Sequence, residues 1–250
     1  MWTRTGFICF IFYLLLIGGT VPAVAADAIN VAVAANFARP LAEISADYKQ
    51  ETGTPVMVTI ASSGTLFAQL MNGAPYDVFL SADQERPARL HADGICLQPF
   101  AYARGRAVLW SRKEAVIREA TWLAAAKSEE AKRIALANPE LAPYGMVLLP
   151  VLNKAFSRAE LKEKLVYGQN VAQAFQFAAT GAVDASFTSL SFALSKEGRK
   201  GRYWELPATA DVDQWGCIRA ASQQRAAAEK FVQVLQSARV KELLNTNGYH

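Results

Sequence analysis

Thr59-Ile-Ala-Ser-Ser-Gly-Thr-Leu-Phe-Ala-Gln-Leu70 passes from a hydrophobic β-type segment, through two hydroxyls and a glycine, into residues with helical spacing. Pro55 to Ile60 reads as a strand, and Leu66, Leu70 and Met71 share one side of the helix that follows. A strand that turns straight into a helix leaves the first N–H groups of that helix without intrahelical acceptors, beside about half a positive charge. The loop is therefore a candidate anion cradle. The competing reading is a plain serine N-cap, because Ser, Thr, Asn and Asp begin helices of every kind. Repetition of the unit along the chain separates the two.

The unit does repeat. Ile29 to Ala35 reads as a buried strand; beyond Asn36, residues Phe37, Leu41, Ile44 and Tyr48 fall on one helical face, with Gly53 as the stop. Tyr76 to Leu80 is a third strand, and Ser81-Ala-Asp83 opens another helix, with Asp83 as its cap. A second set begins with Arg106 to Trp110. Arg133 to Ala137 precedes a helix after Pro143-Tyr144-Gly145, Lys164 to Tyr167 one after Gln169-Asn170-Val171, and Asp184 to Thr188 one after Ser189. Trp215 to Ala221 is the last strand, and Gln224 to Asn245 is helical. Pro150, inside a predicted helix, predicts a kink.

Alternation of this kind predicts an α/β fold of mostly parallel sheets flanked by helices. No low-complexity linker divides the chain, so two lobes joined by crossing strands are expected: 27–103 with 216–250 as lobe I, and 104–215 as lobe II. Ligands of such sheets sit at the carboxyl ends of the strands. Asn36, Ser62 and Ser63 would reach a shared cleft from lobe I, and Tyr144, Val171 and Thr188 from lobe II. Helix dipoles and neutral donors can hold an anion there without Lys or Arg.

The first residues read as an export leader: Arg4, an apolar run from Gly6 to Ile17, and small residues ending at Ala25 or Ala26. Cys9 lies inside the apolar run and not at a lipidation site. The leader carries one arginine and no acid, so its removal lowers the net charge from +4 to +3. That mild charge has no basic cluster, which excludes a nucleic-acid partner. Two cysteines remain, Cys96 and Cys217, either a disulfide or two buried thiols. With only His91 and His250, a histidine-built metal site or a Ser-His pair lacks raw material.

Ala34-Ala35-Asn36-Phe37, Ala61-Ser-Ser-Gly-Thr-Leu66 and above all Asn72-Gly-Ala-Pro-Tyr-Asp-Val-Phe-Leu-Ser-Ala-Asp83 resemble the periplasmic molybdate-binding proteins of ABC transporters. Ala137-Asn-Pro139, Pro143-Tyr-Gly145, Gln169-Asn-Val171 and the closing Asn247-Gly-Tyr249 fit the same order. The resemblance implies the type II two-lobed periplasmic fold and a molybdate or tungstate ligand held by neutral hydrogen bonds, with no cofactor. It also implies a periplasmic monomer and, as partner, an ABC permease with its cytoplasmic ATPase. Carried over by position, Asn36 gives a side-chain amide and a backbone N–H, Ser63 a hydroxyl and an N–H, and Tyr144 and Val171 backbone N–H groups. Ser62 and Thr188 are secondary candidates. Many members place serine at the position of Asn36. Some have a ligand-touching tyrosine near that of Thr188, with alanine at that of Tyr144, so this chain is similar to a branch with a rearranged pocket.

Two other classes compete. An exported serine hydrolase would use Ser62 or Ser63 and has only His91 as an internal base. A transcriptional regulator on the same fold would carry a DNA-binding helix-turn-helix and no leader. Within the binding class, the rival ligands are other tetrahedral oxyanions such as sulfate or chromate.

Overall fold

Residues 28–250 are described by the computed structural model. The leader lies outside the described residues. The described residues hold nine strands: β1 Ile29–Ala34, β2 Val56–Ala61, β3 Val78–Ser81, β4 Phe100–Ser111, β5 Ile134–Ala137, β6 Leu165–Gly168, β7 Ala185–Ser189, β8 Arg202–Glu205 and β9 Asp211–Ile218. The helices are α1 Ala38–Thr52, α2 Ser63–Met71, α3 Glu85–Ala92, α4 Glu114–Ile117, α5 Trp122–Lys127, α6 Pro143–Ala155, α7 Arg158–Lys164, α8 Val171–Ala179, α9 Leu190–Ala193, α10 Arg225–Leu235 and α11 Ala238–Thr246.

The strands form one sheet in the order β2-β1-β3-β9-β4-β7-β5-β6, with β8 beside β4. This corrects the expectation of mostly parallel sheets. The pairs β1–β2, β1–β3, β5–β6 and β5–β7 are parallel, whereas β3–β9, β4–β9, β4–β7 and β4–β8 are antiparallel. The reason is β4. Its residues Phe100 to Arg106 pair with β9, and Ala107 to Ser111 pair with β7 and β8, so one strand serves both halves of the sheet.

The pairing also fixes directions. Because β9 opposes both β3 and β4, strand β4 runs with β1 to β3; because β7 opposes β4, strands β5 to β7 run the other way. The carboxyl ends of the two parallel sets therefore face each other where β4 crosses.

Local sequence explains the packing. On β1, Ile29, Val31 and Val33 pack under α1 (Leu41, Ile44, Tyr48) and α10 (Phe231, Leu235), while the alternate residue Ala32 packs with Leu66 and Leu70 of α2. Helix α1 ends at Gly53, which is left-handed with φ 74°. On the other half, Ile134 and Leu136 of β5 join Leu148 and Leu152 of α6, and Ala135 joins Ala174 and Phe175 of α8. Helix α6 continues past the exposed Pro150 to Ala155. The predicted C-terminal helix is two, α10 and α11, the second capped by Ser237. Cys96 and Cys217 are free thiols in the structure, buried together with Phe79 and Leu90. The hydrogen bond that the Cys217 thiol gives to Cys96, and then burial, hold that thiol above its ordinary range.

Candidate functional site

Helix starts meet at the crossing of the sheet. A 3-10 turn, Ala35–Phe37, leads β1 into α1; α2 begins at Ser63 directly after β2; α6 begins at Pro143, and α8 at Val171 just beyond β6. Together with Ala82 they enclose a cavity lined by Asn36, Ser62, Ser63, Tyr144, Asn170 and Val171. Its free volume is about 10 Å³. Organic ligands occupy pockets of roughly 300 Å³ or more, so this one suits an ion of a few atoms. A larger groove of about 550 Å³ lies at β4, β9 and α11 around Tyr102 and Trp215, with none of the cavity's lining residues.

The cavity is a set of donors. The N–H groups of Ser63, Tyr144 and Val171 sit in first turns, where no intrahelical acceptor exists, and neither they nor Asn36 N–H donate to another backbone oxygen among the described residues. Ser63 Oγ accepts the N–H of Ala82 at 2.9 Å, which leaves its hydroxyl proton free. No Lys, Arg, Asp or Glu lines the cavity. Three helix dipoles and the 3-10 turn thus supply the positive potential.

Other candidates have different partners. Ser62 Oγ is occupied as the cap of α2, taking Thr65 N–H at 3.2 Å and meeting Thr65 Oγ1 at 2.7 Å. Asp83 caps the chain before α3, accepting Arg86 N–H at 2.9 Å and pairing with its guanidinium at 2.6 Å. Asn36 departs from expectation: its amide NH₂ donates to Gln214 Oε1 (2.8 Å) and Tyr249 hydroxyl (3.1 Å), so its side-chain donors are spent within the protein. Gln214 is itself oriented by its NH₂ on Val212 O at 2.8 Å, and Tyr249 donates to Asn36 O at 2.6 Å. Thr188 is not brought to the cavity. It pairs with Val108, and that face of the sheet packs with Trp110 and Phe175 under α8, away from the helix starts.

Gln214 and Tyr249 join the site only through the fold, by their hydrogen bonds to Asn36. The Asn247-Gly-Tyr249 ending was the one signal for the second. With Tyr102 and Tyr144 they form a buried polar layer beneath the cavity. Tyr144 reaches over Gly105, where even a methyl group would stand 2.3 Å from its hydroxyl. The hydroxyls of Tyr144 and Thr188 and the Asn36 amide oxygen have no partner among the described residues. Burial pushes the phenols of Tyr102, Tyr144 and Tyr249 up, so all three are neutral.

Comparison with known proteins agrees with this architecture. Residues 29–250 match the family model of the bacterial extracellular solute-binding proteins. The chain is 34% identical to the molybdate-binding protein ModA of Azotobacter vinelandii over 88% of its own length and 89% of that protein's. It is also 34% identical to ModA of Rhodobacter capsulatus over 94% and 92%. The solved periplasmic molybdate-binding protein of Azotobacter vinelandii superposes with a TM-score of 0.80 at 31% identity, covering 89% of this chain and 98% of that one. The chain therefore belongs to the bacterial extracellular solute-binding protein family, and is a binding protein and not an enzyme.

Proposed function

We propose that this protein captures molybdate, and tungstate with it, between two lobes, and hands the ion to an ABC permease with a cytoplasmic ATPase. The observation that carries the reading is the convergence on one small uncharged cavity of four backbone N–H groups, those of Asn36, Ser63, Tyr144 and Val171, with the Ser63 hydroxyl. The names of the relatives supply the ion. Lobe I is 27–103 with 216–250 and lobe II 104–215; the change of partners along β4 between Arg106 and Ala107, three residues past that division, supports a crossing within this strand. The leader is cleaved near Ala25 or Ala26, and the mature protein acts in the periplasm as a monomer.

A tetrahedral dianion needs several donors. Hydrogen bonds to a charged group contribute about 1.5–3 kcal/mol each, so five give a gross term on the order of 8–15 kcal/mol, offset in part by ordering and closure. Submicromolar affinity, about −8 kcal/mol or better, is compatible with that. Selectivity comes from size: molybdate and tungstate are close in radius and larger than sulfate, so donors held on helix starts fit the first two. In this reading Asn36 acts through its backbone N–H, Ser62 as the cap that shapes α2, and Thr188 has no contact.

The test is isothermal titration of the exported protein with molybdate, tungstate, sulfate and phosphate. One-to-one binding of the first two alone is expected. Heat with sulfate or phosphate and none with molybdate would keep the fold and overturn the ligand.

A further inference from the structure

The walls of the cavity touch at one backbone contact. The N–H of Gly64, second residue of α2, donates to Leu141 O at 2.8 Å, across from the first half of the sheet to the loop between β5 and α6. A methyl group on Gly64 would stand 2.8 Å from that oxygen and 3.1 Å from Leu141 Cα, both backbone atoms that cannot swing aside. The acceptor is held firmly. Asn138 O takes the N–H groups of Leu141 and Ala142, Asn138 Oδ1 takes that of Glu140, and Asn138 N–H is fixed on Gly168 O.

The contact is coupled to the ion site by sequence adjacency. Ser63 N–H faces the cavity while Gly64 N–H faces Leu141, and three residues beyond Leu141 stands Tyr144, whose N–H is another proposed donor. An anion that draws Ser63 and Tyr144 together brings Gly64 and Leu141 into hydrogen-bond range. On the opposite rim, Arg39 Nη1 reaches Ser191 O at 3.1 Å.

We propose that Gly64 and Leu141 form a latch that holds the closed state and lengthens the stay of the bound ion without touching it, an inference that rests on the anion-capture reading. Glycine is required at 64 because any side chain props the walls apart. The latch acts on release: opening exposes both groups to water, so association is limited by encounter and dissociation by unlatching.

The test compares the wild type and Gly64→Ala by stopped-flow and titration with molybdate, with small-angle scattering of each with and without the ion. Alanine is the better helix former, so the variant is expected to fold, which its thermal midpoint checks. Dissociation faster by about tenfold or more, association changed by less than about threefold, and a larger radius of gyration with molybdate for the variant are expected. Equal dissociation rates overturn the latch. If the variant does not fold, exchange of the Gly64 amide in the wild type decides: slowing by molybdate supports the latch, and unchanged fast exchange refutes it. If the wild type binds no molybdate, the capture reading fails separately; the ion-free radii then decide, a larger one for the variant supporting the latch and equal ones overturning it.

Discussion

Replacing Ser63 by alanine separates the observed role of its oxygen from the proposed one. Ser63 Oγ accepts Ala82 N–H at 2.9 Å in a fully buried setting, and its proton is free for the ion. On the ligand side, loss of a hydrogen bond to a charged group costs about 1.5–3 kcal/mol, which raises Kd by about 10- to 150-fold. On the protein side, Ala82 N–H is left without an acceptor, at a cost of about 1–3 kcal/mol. For a chain of this size that lowers Tm by roughly 2–12 °C. Titration at 20 °C, well below the melt, reads the first effect, and circular dichroism of the ion-free protein reads the second. A lowered Tm with Kd unchanged within about twofold would reduce Ser63 to a prop for the β3–α3 turn and refute its place in the cradle.

Asn36→Ala should lower Tm on the order of 5–15 °C in a thermal melt, because it leaves Gln214 Oε1 and the Tyr249 hydroxyl short of a donor in a buried network; a shift under about 2 °C would contradict that network. Tyr144→Phe removes a buried hydroxyl without a partner, so Tm should hold or rise and Kd for molybdate change by less than about threefold; a tenfold loss would implicate the phenol in binding. Tyr102, Tyr144 and Tyr249 have folded pKa values above the unfolded value of about 10. Their contribution to stability is complete below pH ~10 and is lost as pH climbs toward the folded values, at roughly 1.4 kcal/mol per pH unit for each. Urea unfolding between pH 8 and 11.5 should show that fall, and a flat profile would mean the phenols ionise at no cost.

Much of this was legible because it is local. The βα units, the Gly53 stop, the Asp83 cap and the helix that follows Ser62 all follow from periodicity and capping chemistry within a few residues, whereas α6 and α8 begin at Pro143 and Val171, just before the expected starts. What escaped was set by distant pairing. Strand β9 inserts between β3 and β4, which turns the predicted parallel sheets into one mixed sheet, and β8 is short, with only Trp204 buried, so it carries no strong pattern. The use of the Asn36 side chain is decided by Gln214 and Tyr249, 178 and 213 residues away. Thr188 misled because a strand end resembles a cavity wall in sequence, whereas its pairing with Val108 turns it under α8.

The insertion of β9 also bears on how the chain is made. β3 cannot gain its second neighbour, nor Asn36 its final hydrogen bonds, until residues 211–250 have left the ribosome. A nascent chain ending at residue 210 should therefore be open to protease around β3 and Asn36. For a protein of an extracellular solute-binding family, such postponement leaves the part of the sheet around β3 incomplete until synthesis ends, while β4 to β8 can already pair with one another.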